Sequence, residues 1–405
     1  MKKGVAIRAP FSVEIGPEVS LERISGQGVT LCSGTKIYGA RTLISAGVTL
    51  GQEAPVTVLD CHLGPQVQLQ GGFFQSAVFL DKVNIASGAH VRECSLLEEE
   101  AKAGHTVGLK QTLLFPFVTL GSLINFCDCL MAGGTSREDH SEVGSSYVHF
   151  NYTPQQDKAT PSLIGDVPRG VMVDQPPVFL GGQGGLVGPL RIDYGTVITA
   201  GTVWRKDSFG AKLLHGGEGK PLSHTFQAGA FGDVRRKFYN NILYVANIIA
   251  LCEWYIHVRQ PFFLQKELGR ELYEGALACL EGMIRERLRR LRGFVEKIGK
   301  GAALQGEEGK GERDVLRQQR ELVEKWPAIE KLLSSSPSDQ AGRENRLAFL
   351  EAVQPGLGPQ KSYLEVIKNL DEEARQEGTL WLQRIVDDIT IESLKQLPSF
   401  ASYVT

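Results

Sequence analysis

Four consecutive six-residue units, which together span 179–202, decide the fold. They read Phe-Leu-Gly-Gly-Gln-Gly, Gly-Leu-Val-Gly-Pro-Leu, Arg-Ile-Asp-Tyr-Gly-Thr and Val-Ile-Thr-Ala-Gly-Thr. A period of six fits neither the 3.6-residue turn of a helix nor the two-residue alternation of a strand array. It fits a parallel β-helix with three short strands per coil, in which the aliphatic residue points inward and small residues occupy the tight corners.

Related units run loosely from about residue 20 to 205, with clear examples at 44–55 and 85–102. A Gly-rich β-sandwich with chance spacing is the alternative, but three separate patches in one register favour the solenoid. At about 18 residues per coil, the repeat predicts on the order of ten coils. The period alone does not give the handedness.

The composition of the 405-residue chain changes near residue 235. The first 235 residues hold 33 of the 46 glycines, whereas the remaining 170 hold 50 of the 90 Asp, Glu, Lys and Arg residues. Glycine-rich, charge-poor sequence suits tightly turning β structure, and charge-rich sequence suits exposed helices. We therefore predict a β + α fold with a β-helix over 1–207, an inserted loop region at about 121–162, a linker over 208–232 and an all-α C-terminal domain over 233–405.

Charge and cysteine usage narrow the class of protein. A net charge of -2 argues against a nucleic-acid partner held by phosphate neutralisation. The most apolar segment, 242–258, contains Asn247 and Glu253, so we expect a buried helix and no membrane partner. Seven scattered cysteines without a signal peptide predict free thiols in a cytoplasmic protein. The pair Cys127-Asp-Cys129 has the wrong spacing for a zinc knuckle, so no metal is predicted.

Two regions contain unusual polar residues. The interrupted region 121–162 is rich in Asn, Asp, Glu, His and Lys, and loops on rigid scaffolds often carry function. In the helical half, basic residues crowd the stretch 285–292, where they alternate with Leu and Glu. Such a run is usually a solvated helix face, and a nucleic-acid or nucleotide role is the less frequent alternative.

Several motifs, taken in order, resemble one family. They are Lys102-Ala-Gly-His105, the loop Asn151-Tyr152 followed by Lys158, the coil at 178–190 and the coil at 198–203. This set is similar to the acetyltransferase half of the bacterial bifunctional N-acetylglucosamine-1-phosphate uridyltransferase/glucosamine-1-phosphate acetyltransferase. The resemblance implies a left-handed β-helix, usually a homotrimer with active sites between subunits, and acetyl-CoA as co-substrate.

The resemblance also implies residue roles. His105 would be the catalytic base, Asn151 and Tyr152 would position the substrate, and Lys158 would face a phosphate. The cofactor-binding residues along the CoA arm would be Gly182, Thr199 and Ala200.

The spacing leaves an alternative for the base. The chain has Gly108 where the family has tyrosine and Glu142 where it has asparagine, and 46 residues separate His105 from Asn151, about one coil more than in the family. If the extra coil carries His105 away, the nearer bases would be His140 and His149. The substrate-binding residues Lys110 and Asn125 would then lie beneath them.

The predicted function is CoA-dependent acyl transfer to an amino sugar, a sugar phosphate or a nucleotide sugar such as UDP-N-acetylglucosamine. The alternative is a non-catalytic sugar-nucleotide-binding or scaffold relative whose helical domain binds a protein partner. Uridyltransferase activity is not expected, because the repeats begin within about 25 residues of Met1 and no Gly-rich phosphate loop precedes them.

Overall fold

The computed structural model describes residues 3–216, 227–304, 310–358 and 361–403. A parallel β-solenoid of about 11 turns precedes a helical region, which confirms the predicted order of β-solenoid and helices. The strands are β1 (Ala6–Ile7), β2 (Glu14–Ile15), β3 (Thr30–Leu31), β4 (Lys36–Tyr38), β5 (Leu43–Ile44), β6 (Thr49–Leu50), β7 (Val56–Leu59), β8 (His62–Leu63), β9 (Gln68–Leu69), β10 (Gly72–Gln75), β11 (Val78–Phe79), β12 (Asn84–Ile85), β13 (Ala89–Val91), β14 (Leu96–Leu97), β15 (Lys102–Ala103), β16 (Gly108–Leu114), β17 (Thr119–Leu120), β18 (Asn125–Met131), β19 (Glu142–Val143), β20 (Val148–Phe150), β21 (Ser162–Ile164), β22 (Phe179–Leu180), β23 (Gly185–Val187), β24 (Arg191–Ile192), β25 (Val197–Ile198), β26 (Val203–Trp204) and β27 (Leu213–Leu214).

The solenoid is a prism with three faces. Face A is the sheet β1-β3-β6-β9-β12-β15-β17-β19-β22-β25-β27. Face B contains β2, β4, β7, β10, β13, β20, β23 and β26, and face C contains β5, β8, β11, β14, β21 and β24. The seven-residue strands β16 and β18 run across the corner between them, so faces B and C belong to one sheet. Each coil passes from A to B to C.

The three corners are named A–B, B–C and C–A after the faces that they join. Sharp turns need a left-handed backbone, and several non-glycine residues adopt it at equivalent places in successive coils. At the B–C corner these residues are Asp60, Ser76, Cys94, Gln111 and Asp128. The B–C corner is therefore a regular column of side chains along the prism.

The region predicted as an insertion, 121–162, contains two separate excursions and not one loop. One excursion, 132–141, leaves the C–A corner, and the other, 151–161, leaves the B–C corner. Strands β18, β19 and β20 continue the coils between them. The solenoid also extends beyond 207, because β27 pairs with β25 on face A. Residues 217–226 of the predicted linker lie outside the described residues.

The helical half is built around one apolar helix. The α-helices are α1 (Val167–Gly170), α2 (Arg235–Trp254), α3 (Gln260–Leu264), α4 (Gly269–Leu304), α5 (Lys310–Leu333), α6 (Arg343–Val353), α7 (Tyr363–Lys368) and α8 (Glu372–Lys395). A π-helical turn, Tyr255–Arg259, joins α2 to α3. Within the described ranges, Arg235–Leu264 alone is long and apolar enough to cross a membrane, but 78% of its apolar window is buried inside the protein. It packs against α4 and α8, as a core helix does.

The helices cover face C. Alternate residues of a strand point to opposite sides, so one residue of each two-residue strand faces outward and needs a cover if it is apolar. The apolar residues at outward positions of face C are at most 3% exposed: Leu43, Val78, Leu96, Leu113, Leu130 and Leu163. The polar residues at the same positions, His62 and Arg191, are half-buried. Helix α4 contacts β8, β11 and β14, and α2 contacts β21. Burying each of these apolar side chains contributes roughly 1.5–3 kcal/mol, which fixes the helical half on this face.

Helix α4 follows the B–C corner along the prism. Gly275 lies against His62, and a Cβ on Gly282 would lie 2.8 Å from the Sγ atom of Cys94, two coils further on. Seven helical residues rise about 10.5 Å, and two coils rise about 9.6 Å. Seven residues of the helix therefore span nearly the same distance as two coils of the solenoid. As a result, the C-terminal half of α4 lies beside the coils of the 151–161 excursion.

A buried charged cluster anchors the start of the helical half to the C–A corner. Arg259, whose side chain is 1% exposed, donates to the two carboxylate oxygens of Glu99 at 3.1 and 2.6 Å. The guanidinium carbon of Arg259 lies 3.7 Å from the ring centroid of Tyr363. Tyr255 donates to Oε1 of Glu98 at 2.6 Å, and burial raises the pKa of Glu98 to about 7. These contacts join three distant segments of the chain.

Candidate functional site

The structure distributes the predicted site residues over three corners. The A–B corner holds His105, Gly182, Thr199 and Ala200. Face B and the B–C excursion hold Lys110, Asn125, His149, Asn151, Tyr152 and Lys158. The C–A excursion holds His140. The predicted substrate-binding residues are thus grouped, whereas the two predicted bases lie at other corners.

A cavity of about 510 Å³ lies between face B, the B–C corner and helix α4. This volume is within the range of small-molecule sites. Five of the six predicted substrate-binding residues border this α4 cavity, and Tyr152 does not. The solenoid residues that line it are Arg92, Lys110, Asn125, Cys127, Asp128, Val148, His149, Phe150, Asn151, Thr153 and Lys158, and the helix residues are Glu286, Arg287 and Arg290.

A chain of hydrogen bonds through Asp128 holds one wall of the α4 cavity. Thr160 Oγ1 donates to Asn151 Oδ1 at 2.8 Å, and Asn151 Nδ2 donates to Asp128 Oδ2 at 2.9 Å. On the other side, Arg287 Nη2 donates to Asp128 Oδ1 at 2.7 Å. One carboxylate therefore positions an amide of the solenoid and a guanidinium of α4 at the same time.

Positive charge dominates the α4 cavity. The cations on its wall are Arg92, Lys110, Lys158, Arg287 and Arg290, against the carboxylates of Asp128 and Glu286 and that of Glu93, which pairs with Lys110 beside the cavity. The side chain of Arg287 is 4% exposed, and its Nε and Nη1 atoms are buried without a hydrogen-bond partner in the described part of the chain. Arg92 and Lys158 form no ion pair with any described residue. The wall therefore has unused capacity to donate hydrogen bonds to an anion.

His149 borders the α4 cavity, but its ring is turned into the prism. The residue is 3% exposed, and its Nε2 atom lies 2.8 Å from Ser162 Oγ. The ring also packs edge-on against Phe126. Burial lowers the pKa of His149 to about 4, so the ring is neutral near pH 7. The buried and hydrogen-bonded ring is not placed to take a proton from a ligand in the cavity.

His105 belongs to a column of small polar residues at the A–B corner. It is exposed, and its Nδ1 atom lies 2.7 Å from Ser122 Oγ in the next coil. The backbone N–H of Ser122 donates to Ser145 Oγ at 3.1 Å, one coil further on. A Cβ on Gly182 would lie 2.8 Å from the carbonyl oxygen of Ser145, so the next coil packs closely. The predicted base and the predicted cofactor-binding residues therefore share one edge of the prism.

Gly108 leaves face B open between the A–B corner and the α4 cavity. It starts β16, two residues before Lys110, and a Cβ at Gly108 would meet no atom closer than 3.9 Å. In the neighbouring coil, Asn125 pairs with Gly108 and lines the cavity. Gly108 therefore lies, without a side chain of its own, between Asn125 and the exposed His90 of the two neighbouring coils.

His140 lies apart from both groups. It pairs with Gly134 in the C–A excursion, and burial lowers the pKa of its ring. In the same excursion, Arg137 donates to the carbonyl oxygens of Glu100 and Phe117 at 3.1 and 2.6 Å. These bonds hold the excursion onto the corner. The geometry here indicates a structural role for the loop around His140.

Sequence reasoning gave no site role to Arg92, Asp128 or Thr160, and it treated the stretch that contains Glu286, Arg287 and Arg290 chiefly as a solvated helix face. The crowd of basic residues over 285–292 was the available signal for α4. Part of it is a solvated face, as expected, since the side chains of Arg285 and Arg289 are 69% and 63% exposed. Arg287 and Arg290 point the other way, and their side chains are 4% and 24% exposed. Among the described residues, no group of three or more His, Cys, Asp or Glu side chains is placed to hold a metal ion.

The chain is similar to curated bacterial proteins called bifunctional protein GlmU. It is 28% identical over 204 residues to the protein of Clavibacter sepedonicus, in an alignment that covers 50% of this chain and 36% of that protein. The protein of Thermotoga petrophila is 26% identical over 214 residues (51% and 41%), and that of Trichlorobacter lovleyi is 27% identical over 208 residues (51% and 40%). No protein-family model matches the chain.

The chain spans about two fifths of the length of these relatives. The predicted resemblance to the β-helix acetyltransferase half of the bifunctional family is confirmed.

Proposed function

We propose that the protein is a CoA-dependent acyltransferase of the hexapeptide-repeat class that acts on an amino sugar carrying a phosphate or a nucleotide. The similarity to bifunctional protein GlmU and the β-solenoid support the class. The observation that carries the proposal is the A–B corner, where His105 is held by Ser122 and shares a column with Gly182 and Ala200.

The hydrogen bond of His105 suits a general base. In the tautomer with its proton on Nδ1, His105 donates to Ser122 Oγ, and the lone pair of Nε2 is free to accept a proton. The amine of the substrate attacks the thioester carbonyl carbon, so a C–N bond forms and the C–S bond breaks. The amine proton passes to Nε2, and the CoA thiolate leaves and is protonated in turn. A neutral imidazole is suited to this transfer near neutral pH.

The substrate would lie across face B. Its anionic end would occupy the α4 cavity, where Lys110 and Lys158 offer positive charge and Asn151 offers an amide. Its amine would extend over Gly108 towards His105. Acetyl-CoA would lie along the A–B corner, where the small residues Gly182, Thr199 and Ala200 leave room for an extended chain.

A second candidate is a non-catalytic protein that binds a sugar nucleotide, as either a scaffold or a carrier. One observation favours it: the histidine that borders the α4 cavity, His149, is buried and hydrogen-bonded to Ser162. In this case the helical half would serve as a cover for the ligand or as the surface for a protein partner.

We also propose a homotrimer. The outward residues of the last three coils of face A are apolar and exposed: Phe179 (40%), Val197 (37%) and Leu213 (61%). Three apolar side chains in register support an interface there. A monomer in sedimentation velocity at micromolar concentration would contradict the trimer and, with it, any site shared between subunits.

Acyl transfer is tested with acetyl-CoA, UDP-N-acetylglucosamine and the corresponding amine substrates. We expect both acetyl-CoA and the nucleotide sugar to raise the Tm, and His105→Ala to lower kcat by 100-fold or more, the usual contribution of a general base. His257→Ala is the control, because His257 lies in the π-helical turn of the helical half, away from face B and the A–B corner.

A Tm shift with the nucleotide sugar but none with acetyl-CoA would reject acyl transfer in favour of the second candidate. Full activity in His105→Ala together with loss in His140→Ala would move the base to the C–A excursion.

A further inference from the structure

We propose that helix α4 completes a binding site for the phosphate groups of the ligand, with Arg287 and Arg290 as residues that contact them directly. The inference deepens the proposed function, since it takes from it the class of ligand, a phosphorylated or nucleotide-linked amino sugar. It adds that the helical half of the same chain, and not only the solenoid, recognises the anion.

The first argument is the state of Arg287. A guanidinium has five N–H groups, and burying one without partners costs free energy. Arg287 uses Nη2 on Asp128, whereas Nε and Nη1 are buried and have no hydrogen-bond partner among the described residues. A phosphate oxygen in the α4 cavity would supply an acceptor for this guanidinium.

The second argument is the arrangement of charge around Arg287. Arg290 donates from Nε to Glu286 Oε1 at 2.7 Å, and Glu286 also accepts two bonds from Arg289. One carboxylate thus serves two guanidinium groups, so the pair keeps excess positive charge. Across the cavity, Arg92 lacks an ion-pair partner within the described ranges. Cations on opposite walls suit a phosphate held between them.

The third argument is the way in which α4 is held. Its small residues Gly275 and Gly282 bring its backbone against His62 and Cys94 at the B–C corner. The helix is therefore a fixed wall, and its side chains meet the cavity in a defined register with the coils. Pre-arranged cations lose little freedom when the anion binds.

Isothermal titration calorimetry with four probes tests the site: UDP-N-acetylglucosamine, N-acetylglucosamine 1-phosphate, inorganic phosphate and uncharged N-acetylglucosamine. The variants are Arg290→Gln and Arg92→Gln. Arg292→Gln is the matched control, because Arg292 lies on α4 but pairs with Glu330 at 2.8 Å and its side chain is 59% exposed. Each variant removes one positive charge, and the Tm of each checks its folding.

We expect Arg290→Gln and Arg92→Gln to weaken at least one phosphorylated probe about tenfold or more, and Arg292→Gln to change it by less than about twofold. Stronger binding of the nucleotide sugar than of the sugar phosphate identifies a diphosphate ligand, and the reverse identifies a monophosphate; both support the site. Binding of uncharged sugar as tight as that of the phosphorylated probes would overturn it. An equal effect of Arg292→Gln, or no binding by any phosphorylated probe, would overturn it as well.

The two proposals fail in different ways. Binding that depends on Arg290, without acetyl transfer, would reject the acyltransferase and keep the phosphate site. Acetyl transfer with an unchanged KM for the phosphorylated substrate in Arg290→Gln would reject the phosphate site and keep the acyltransferase.

Discussion

Replacing Asp128 by asparagine tests whether one carboxylate joins the solenoid wall of the α4 cavity to helix α4. The substitution preserves the shape of the side chain but removes its charge. It leaves the guanidinium of Arg287, which is 4% exposed, without its counter-ion. It also replaces one acceptor oxygen by an N–H donor, which would face the donor Asn151 Nδ2 or Arg287 Nη2. Removing one partner of a buried ion pair costs about 3–5 kcal/mol. Because Asp128 is still 15% exposed, we expect the lower end, about 3 kcal/mol.

Urea unfolding followed by tryptophan fluorescence measures this loss. Three of the four tryptophans, Trp254, Trp326 and Trp381, lie in the helical half, so most of the signal reports on the part that contains Arg287. Asp60→Asn is the matched control: Asp60 occupies the same B–C corner, but its partner Arg41 is 67% exposed and 3.5 Å away. Exposed pairs contribute about 0–1 kcal/mol, so the control should change stability little.

The double variant Asp128→Asn/Arg287→Met separates a lost pair from a general loss of packing. If the two side chains act as a pair, the double variant should be more stable than the sum of the single losses predicts, by more than about 1 kcal/mol. A loss below about 0.5 kcal/mol in Asp128→Asn would refute the reasoning, and so would single losses that add within about 0.5 kcal/mol in the double variant.

Two further predictions concern the contacts that hold the helices on the solenoid. Burial raises the pKa of Glu98 from 4.5 to about 7, so the protonated form stabilises the fold fully below about pH 4.5, and this stabilisation is lost as the pH rises through 7. Unfolding measured from pH 5 to 8 should show that Glu98→Gln removes most of this decline, up to about 3 kcal/mol, and an unchanged pH dependence would contradict it. On α4, Gly293→Ala should stabilise by up to about 1 kcal/mol, because nothing lies within 4 Å, whereas Gly282→Ala should destabilise, because its Cβ would lie 2.8 Å from Cys94 Sγ. Equal Tm shifts in the two alanine variants would show that α4 does not pack closely on this corner.

The sequence predicted the solenoid well because the residues within each coil determine the conformation of that coil. The inward aliphatic residue and the small corner residue recur in most units, so no long-range information is needed to assign the fold. The same locality places Lys110, Asn125 and Asn151 on one wall: each lies on face B or just after it in one of three successive coils, which the strand pairing sets side by side.

The orientation of His149 could have been predicted from the same register. Along β20 it pairs with Leu186, and it follows Leu109 and Phe126 at the inward position of the strand. A histidine in this place belongs to the prism interior, whatever its chemistry. In a parallel β-solenoid, a residue's inward or outward position on its strand therefore has to be assigned before it is considered as a base.

The role of the helical half was harder to predict, although the outward apolar residues of face C indicate that something covers this face. Strands with two adjacent apolar residues, such as Leu96-Leu97 and Leu113-Leu114, have one apolar side chain on the outside, and this predicts a cover. Which residues of α4 face the cavity depends on the rotation of the helix about its axis and on its position along the solenoid. That contact joins Arg287 to Asp128, 159 residues apart, and no local pattern contains it.

The position of α4 also constrains how an acyltransferase of this kind could assemble. The helices bury face C and close one side of the α4 cavity, so the solenoid can contribute only faces A and B to a subunit interface. Face A carries the exposed apolar ladder at Phe179, Val197 and Leu213, and it borders the A–B corner where His105 lies. A trimer built on this face would bring the partner subunit beside the predicted CoA residues and leave the α4 cavity within one chain. Phosphate binding would then persist in a monomeric variant, whereas acyl transfer would depend on assembly, so the two activities can be separated by the oligomeric state alone.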